Sequence, residues 1–290
     1  VAEALTACVA AGGEDAPQLE VRDLSLRFGR GCPACLREAP AFEGNVCPAC
    51  GTVHAVRAAS LEVYPGEIVG IVGESGSGKS SLMRCVYFDE QATGGDVRAR
   101  PFDGGERNLL DLSPQRKRAV RNQVFGMVYQ NPHLGLRMGF SSLSNIAEAM
   151  IASGERNVGV MRARGEGLLE RVSIPLARAT CPPRVFSGGM QQRVQIAKAL
   201  SANPPILLLD EVTTGLDLSV QAAVLDLILD IRRSSNVSML VVSHDLGVIR
   251  MLADRTLVML SGRVVEQGLT DQILEDPQHP YTQKLVSSLL

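Results

Sequence analysis

Apolar and polar positions alternate along Gln18-Leu-Glu-Val-Arg-Asp-Leu-Ser-Leu-Arg-Phe28, the period of a strand with one face on a core and the other on water. The alternation returns at Ala59-Ser-Leu-Glu-Val-Tyr-Pro65, and Gly66-Glu67 turns the chain into the continuous apolar run Ile68-Val69-Gly70-Ile71-Val72. Two more apolar runs, at 206–210 and 238–243, read as strands buried on both faces, with a helical pattern at 219–233 between them. Residues 113–122 predict a charged helix leading into a strand at Val124-Phe-Gly-Met-Val-Tyr129, and 141–180 is helical with Arg and Glu on its polar faces. Gly94-Gly95 and Asp103-Gly104-Gly105 mark turns in a region of short strands. Strands alternating with helices predict an α/β domain on a parallel sheet. Residues 1–18, Ala/Gly-rich and aperiodic, predict a flexible N-terminal tail. No repeat of fixed period is present.

At 290 residues and 31.0 kDa, one large domain with insertions is expected. No apolar run approaches the roughly 20 residues of a membrane span, and the N-terminus has no signal-peptide pattern, so any membrane role needs a partner protein. A net charge of -2 and a pI near 6.1 give no support to nucleic-acid binding. The basic run Gln115-Arg116-Lys117-Arg118 reads as a solvated helix face. Seven cysteines without a secretory signal point to a reducing, cytoplasmic setting and to metal ligation over disulfides.

The apolar run at 68–72 enters Gly73-Glu-Ser-Gly-Ser-Gly-Lys-Ser80, which is the spacing G-x-x-x-x-G-K-S. A Gly/Ser turn ending by chance in Lys-Ser is the bland alternative. The strand before it and the helix-compatible Ser81-Leu82-Met83-Arg84 after it decide for a phosphate-cradling loop that binds ATP or GTP. Ser75, Gly76, Gly78 and Ser81 belong to the cradle; Lys79 would reach the β- and γ-phosphates, and the Ser80 hydroxyl would ligate Mg²⁺. Ile206-Leu-Leu-Leu-Asp210-Glu211 puts two carboxylates at a strand tip, Asp210 for Mg²⁺ and Glu211 to polarise an attacking water. Such a strand end is common alone and carries weight only with the phosphate loop.

Upstream lies Phe186-Ser187-Gly188-Gly189-Met190-Gln191-Gln192-Arg193, which by itself could be an ordinary helix N-cap turn. Its position makes the chain resemble the ATP-binding-cassette (ABC) superfamily, whose Leu-Ser-Gly-Gly-Gln signature sits there, with Phe186 for the Leu and Met190 for the Gln. The resemblance implies a P-loop ATPase fold with a parallel-sheet core, an antiparallel β subdomain and a helical subdomain at 136–186, within a domain spanning 19–290. It also implies ATP and Mg²⁺ as ligands, and a head-to-tail homodimer in which Ser187, Gly188 and Gly189 of one copy cap the ATP of the other. Gln130 matches the family's glutamine loop, sensing Mg²⁺ and water; Thr213-Thr-Gly-Leu-Asp217 matches the loop crossing the dimer interface; His244 matches the switch histidine at the γ-phosphate. Val212 departs from the family's usual Pro after the catalytic Glu. The family places an aromatic for adenine at the end of the first strand, making Phe28 the candidate and Tyr64 the alternative.

Between the first two strands, at 30–54, stand Cys32-Pro-Ala-Cys35 and Cys47-Pro-Ala-Cys50-Gly51. Two paired knuckles supply four thiolates for a closed, structural Zn²⁺ ribbon. The alternative is a redox pair; Glu43-Gly44-Asn45 suits the hairpin turn between knuckles. Cys8, Cys85 and Cys181 lack spacing partners and read as inert thiols.

Within the superfamily, the tail Asp276-Pro-Gln-His-Pro-Tyr281 resembles both oligopeptide-importer ATPases and the ATP-binding subunit of the carbon–phosphorus lyase system. Gly135-Leu136-Arg137, Asn145-Ile146-Ala147-Glu148, Val172-Ser-Ile174-Pro175 and Gly268-Leu269-Thr270-Asp271 resemble the second. That resemblance implies docking on the lyase core, whose remodelling ATP would drive in phosphonate breakdown, with a second ABC subunit as a further partner and neither nucleic acid nor membrane entered directly. An importer ATPase is the alternative; a DNA-repair ABC ATPase, raised by the zinc insert, is disfavoured by the acidic pI and single short cassette.

Overall fold

The computed structural model describes residues 16–36 and 44–288; most of the expected N-terminal tail, with Cys8, and the stretch between the knuckles lie outside the described residues. The chain divides into two compact units, one of Val1–Tyr64, Ile68–Leu112 and Val242–Leu290, the other of Pro65–Glu67 and Ser113–Val241.

The first unit holds an antiparallel sheet in the order β2-β1-β4, from β1 (Leu19–Phe28), β2 (Val53–Val63) and β4 (Gly94–Ala99). Leu19 and Val21 are buried, and so are Leu24 and Leu26, so the apolar phase slips by one residue between the pairs. A bulge absorbs the slip: Asp23 takes φ 49, its N–H donates to Ser60 Oγ, and the register with β2 jumps between Val21 and Leu24. β4 starts at Gly94, where the sequence predicts a turn, because Gly95 lies so close to the Leu24 backbone that no side chain fits. β2 begins inside the expected insert, at Val53, paired with Phe28.

The same unit carries β3 (Ile68–Val72), whose five residues are all buried, parallel to β8 (Arg255–Leu260), which pairs antiparallel with β9 (Arg263–Leu269). Its longer helices are α1 (Lys79–Val86), α7 (Leu246–Leu252), α8 (Thr270–Glu275) and α9 (Pro280–Ser287). Gly70 lets Ile249 and Ala253 approach the β3 backbone, which seats α7 on the strand.

The second unit orders its strands β5-β6-β7, from β5 (Phe125–Val128), β6 (Ile206–Asp210) and β7 (Ser238–Val242), with β5 and β6 parallel. Its longer helices are α2 (Pro114–Val124), α3 (Ser142–Ser153), α4 (Val158–Arg171), α5 (Gly188–Leu200) and α6 (Leu218–Ser234). The helical stretch expected at 141–180 is two helices, because Gly154 ends α3 in the left-handed conformation and Asn157 caps α4. Glu148 ties α3 to its neighbours by accepting from Arg137 at 2.6 Å and Lys198 at 2.9 Å. Burial pushes the Glu148 carboxyl up, but those two cations win and hold it below the usual range.

Candidate nucleotide and metal sites

β3 delivers the chain to the phosphate loop, and α1 begins at Lys79 with Gly78 as its N-cap. Gly78 has φ 103, and a Cβ there would collide with the Ala55 carbonyl oxygen. Gly76, at φ 79, has open space where a Cβ would go. These two glycines predict different outcomes. Gly78→Ala should lower affinity for ATP at least about tenfold through the clash, while Gly76→Ala bears only the left-handed penalty of about 1–2 kcal/mol. Titration calorimetry with Mg·ATP checks the ranking.

Lys79 is 4% exposed, and its Nζ donates to the Gly73 and Glu74 carbonyls at 2.8 Å each. Its charge thereby sits over the loop, beside the N-terminus of α1, where an anion is favoured. The loop fits a phosphate on a further count: Ser77 Oγ is buried without a hydrogen-bond partner among the described residues. The loop is also gripped from outside. Tyr281 of α9 accepts from Glu74 N–H through its hydroxyl at 2.9 Å, and the Ser77 carbonyl accepts from Gly262 N–H at 2.9 Å. His244 belongs to the same unit: Ser243 N–H donates to Ile71 O at 3.1 Å, beside the strand that enters the loop, and Asp245 caps α7. Phe28 closes β1 with 47% of its surface exposed, available for stacking, whereas the Tyr64 hydroxyl donates to Glu62.

In the second unit, Asp210 ends β6 almost fully buried. Glu211 follows at φ 47, a left-handed conformation that costs a non-glycine residue about 1–2 kcal/mol. Its carboxylate Oε2 accepts from Gln130 Nε2 at 2.8 Å and from Thr214 Oγ1 at 3.1 Å, so two of the sequence candidates meet here. Val212, in place of the family's Pro, is buried. One positioning residue was missed. Gln195, buried on α5, accepts from Tyr129 N–H at 2.8 Å and donates to Tyr129 O at 3.0 Å, clamping the backbone immediately before Gln130. The available signal was a pair of glutamines, Gln192 and Gln195, three apart on an otherwise apolar helix face.

Ser187 caps α5, its Oγ accepting from Met190 N–H, with Ser187 and Gly188 exposed and Gly189 buried. A Cβ on Gly189 would collide with Val220, so glycine permits the first turns of α5 and α6 to touch. Phe186 takes the signature leucine's place as a buried side chain, with the Arg178 guanidinium 5.7 Å from its ring centre. Asp217 caps α6; the Ser219 hydroxyl and the Val220 N–H hold its carboxyl below the usual range.

The four knuckle cysteines converge, with all four sulfurs within 4.8 Å of one another, the one cluster of its kind among the described residues. Cys32–Cys35, Cys32–Cys47 and Cys35–Cys50 sulfur separations are 3.8, 3.8 and 3.7 Å. Tetrahedral Zn²⁺ with bonds of about 2.3 Å sets its sulfurs about 3.8 Å apart, so these residues could hold the ion as they stand. Thr52 lowers the Cys50 thiol to about 6, easing its ionisation. A cavity of about 180 Å³ beside Cys35 is lined by Arg27, Arg57 and Arg263, positive charge next to a centre that four metal-bound thiolates would make negative. His54 lines it too, its ring kept neutral by burial and by the neighbouring arginines Arg57 and Arg27. Cys85 is buried away from the cluster, and burial pushes its thiol up to about 12, as expected of an inert cysteine.

No helix among the described residues is long and apolar enough to cross a membrane. The ABC transporter family model matches residues 56–214. The chain is 46% identical over 231 residues, 80% of its own length and 90% of the other's, to the Escherichia coli (strain K12) ATP-binding protein PhnK, named for phosphonates utilization. It is 38% identical over 250 residues, 82% of itself and 67% of the relative, to the oligopeptide transport ATP-binding protein OppD of Bacillus subtilis (strain 168). Among solved structures it resembles a dimeric ATP-binding cassette in a post-hydrolysis state with ADP and Pi, at TM-score 0.72 and 25% identity, over 87% of this chain and 98% of that one. On the match across more than half its length and on these relatives, the chain belongs to the ABC transporter family, as an ATP-hydrolysing nucleotide-binding member.

Proposed function

We propose that the chain homodimerises around ATP in the cytoplasm and docks on the carbon–phosphorus lyase core, where binding and hydrolysis of ATP drive remodelling of that core in phosphonate breakdown. The observation that carries this reading is the 46% identity to the protein named for phosphonates utilization, across 90% of that protein. In this reading Lys79 and Ser80, with Ser75, Gly76, Gly78 and Ser81, hold the phosphates, and Phe28 stacks on adenine. Mg²⁺ would be held by Ser80, Gln130 and Asp210, where it neutralises phosphate charge. Glu211 takes the proton of the attacking water, with Gln130 keeping its carboxylate in place and His244 contacting the γ-phosphate. Ser187, Gly188 and Gly189 of a second copy, with Asp217 at the dimer interface, complete the pocket by a capped helix N-terminus aimed at phosphate.

Affinity capture of the tagged chain from the soluble fraction tests the assignment: lyase core subunits should co-purify. Recovery only with a membrane permease would favour the second reading, an oligopeptide-type importer ATPase, which the 38% identity to the oligopeptide transport protein supports. Zn²⁺ in the four-cysteine insert is structural in this account. Cys32→Ser should lower bound zinc from about one per chain to near zero; full zinc stoichiometry in that variant would dismiss the ribbon.

A further inference from the structure

We propose that Asn45 is a positioning residue for ATP binding, and that through it the metal-binding insert sets the affinity of the phosphate loop. The insert's second knuckle is the tip of a short hairpin. Val46 pairs with Val53, Cys47 N–H donates to Thr52 O at 2.8 Å, and His54 N–H donates to Asn45 O at 2.7 Å. At the base of that hairpin, Asn45 Nδ2 donates to the carbonyl oxygen of Gly76 at 3.3 Å. Asn45 therefore stands two residues from a knuckle ligand and in direct contact with the phosphate loop.

The contact falls on a peptide unit whose orientation matters. Gly76 is left-handed, at φ 79, in a turn closed by Ser77 N–H donating to Glu74 O at 3.2 Å. Carbonyl and N–H of one peptide unit point opposite ways. With the Gly76 oxygen held outward by Asn45, the Ser77 N–H stays on Glu74 and the turn is fixed. A loop that presents converging N–H groups to an anion binds more tightly when its turns are already set, since less order has to be imposed on binding. Glycine makes this turn possible and also loose. Continuing into β2, Ala55 packs its carbonyl against Gly78, and Arg57 N–H donates to the Gly262 carbonyl, whose own N–H reaches Ser77 O. The hairpin thus reaches the loop at Gly76 directly and continues into the strand that backs it.

A metal ion held by Cys32, Cys35, Cys47 and Cys50 would tie the hairpin tip to the end of β1, and so hold Asn45 against the loop. This part rests on the zinc reading given above. The Asn45 contact itself does not.

The test uses the full chain with Mg·ATP as probe, measuring Kd by calorimetry, KM and kcat by phosphate release, and zinc by elemental analysis. Asn45→Asp keeps the shape and removes the donor. It should raise Kd and KM about three- to tenfold, the loss of one hydrogen bond, with kcat within twofold and zinc unchanged. Asn45→Gln, which keeps an amide donor, should recover part of the affinity. Chelating zinc from the unmodified chain should raise Kd to the level of Asn45→Asp, and chelating it from Asn45→Asp should add nothing. Unchanged Kd in zinc-loaded Asn45→Asp would overturn the proposal. Additive losses on chelation would overturn the coupling through Asn45. A chain purified without zinc, with Asn45→Asp still weakened, would refute the zinc reading and the coupling while upholding the positioning role.

Discussion

Replacing Glu211 with glutamine should lower ATP turnover by at least about 10²- to 10⁴-fold while leaving Mg·ATP affinity within a few-fold of the unmodified chain. The amide has the carboxylate's shape, so its oxygen can still accept from Gln130 and Thr214, whose donors lie 2.8 and 3.1 Å from Glu211 Oε2. What it lacks is the basicity needed for the role proposed for Glu211, removal of a proton from the attacking water. The left-handed backbone at Glu211 is a strained conformation of the kind that concentrates at functional sites. If the chain homodimerises around ATP as proposed, light scattering with Mg·ATP should show Glu211→Gln held as a dimer. Turnover near that of the unmodified chain would remove Glu211 from the base's role.

The second large effect is expected at Lys79. Lys79→Ala should weaken Mg·ATP binding about 10²- to 10⁴-fold and bring hydrolysis below detection, if the ammonium makes two charge-assisted contacts to phosphate as proposed, each worth about 1.5–3 kcal/mol. The nucleotide-free protein should suffer too, because Lys79 Nζ bonds the Gly73 and Glu74 carbonyls and the side chain is nearly buried. A melting temperature lower by a few degrees is the expected sign. Lys79→Arg should rescue little: a planar guanidinium does not fit the space of a compact ammonium closed over by its own loop. Calorimetry and phosphate release read both variants, and near-normal affinity in Lys79→Ala would exclude a phosphate contact.

Local pattern carried much of this. The five-residue apolar runs at 68–72 and 206–210 are strands at those residues, because burial on both faces and the glycine or acidic residue that follows leave little choice of boundary. The phosphate loop and the four knuckle cysteines were legible for the same reason, since their chemistry depends on spacing within one short segment. Contacts between distant segments were not. The Asp23 bulge needs Ser60, the Gly94 start of β4 needs the Leu24 backbone, and the Gln195 clamp on Tyr129 joins residues 66 apart. Asn45, read from sequence as part of a hairpin turn, proved to touch the phosphate loop, 31 residues away. Register and long-range hydrogen bonds arise from packing, which a local period does not encode.

One experiment tests directly whether the cassette works in pairs on a lyase core, as proposed. Glu211→Gln, purified with Mg·ATP, is mixed with isolated carbon–phosphorus lyase core, and the mass of the complex is measured by light scattering. An ATP-dependent complex in which two copies of the chain join the core is expected, with no association in Lys79→Ala. A core that binds neither form, while an oligopeptide permease captures the chain, would contradict it.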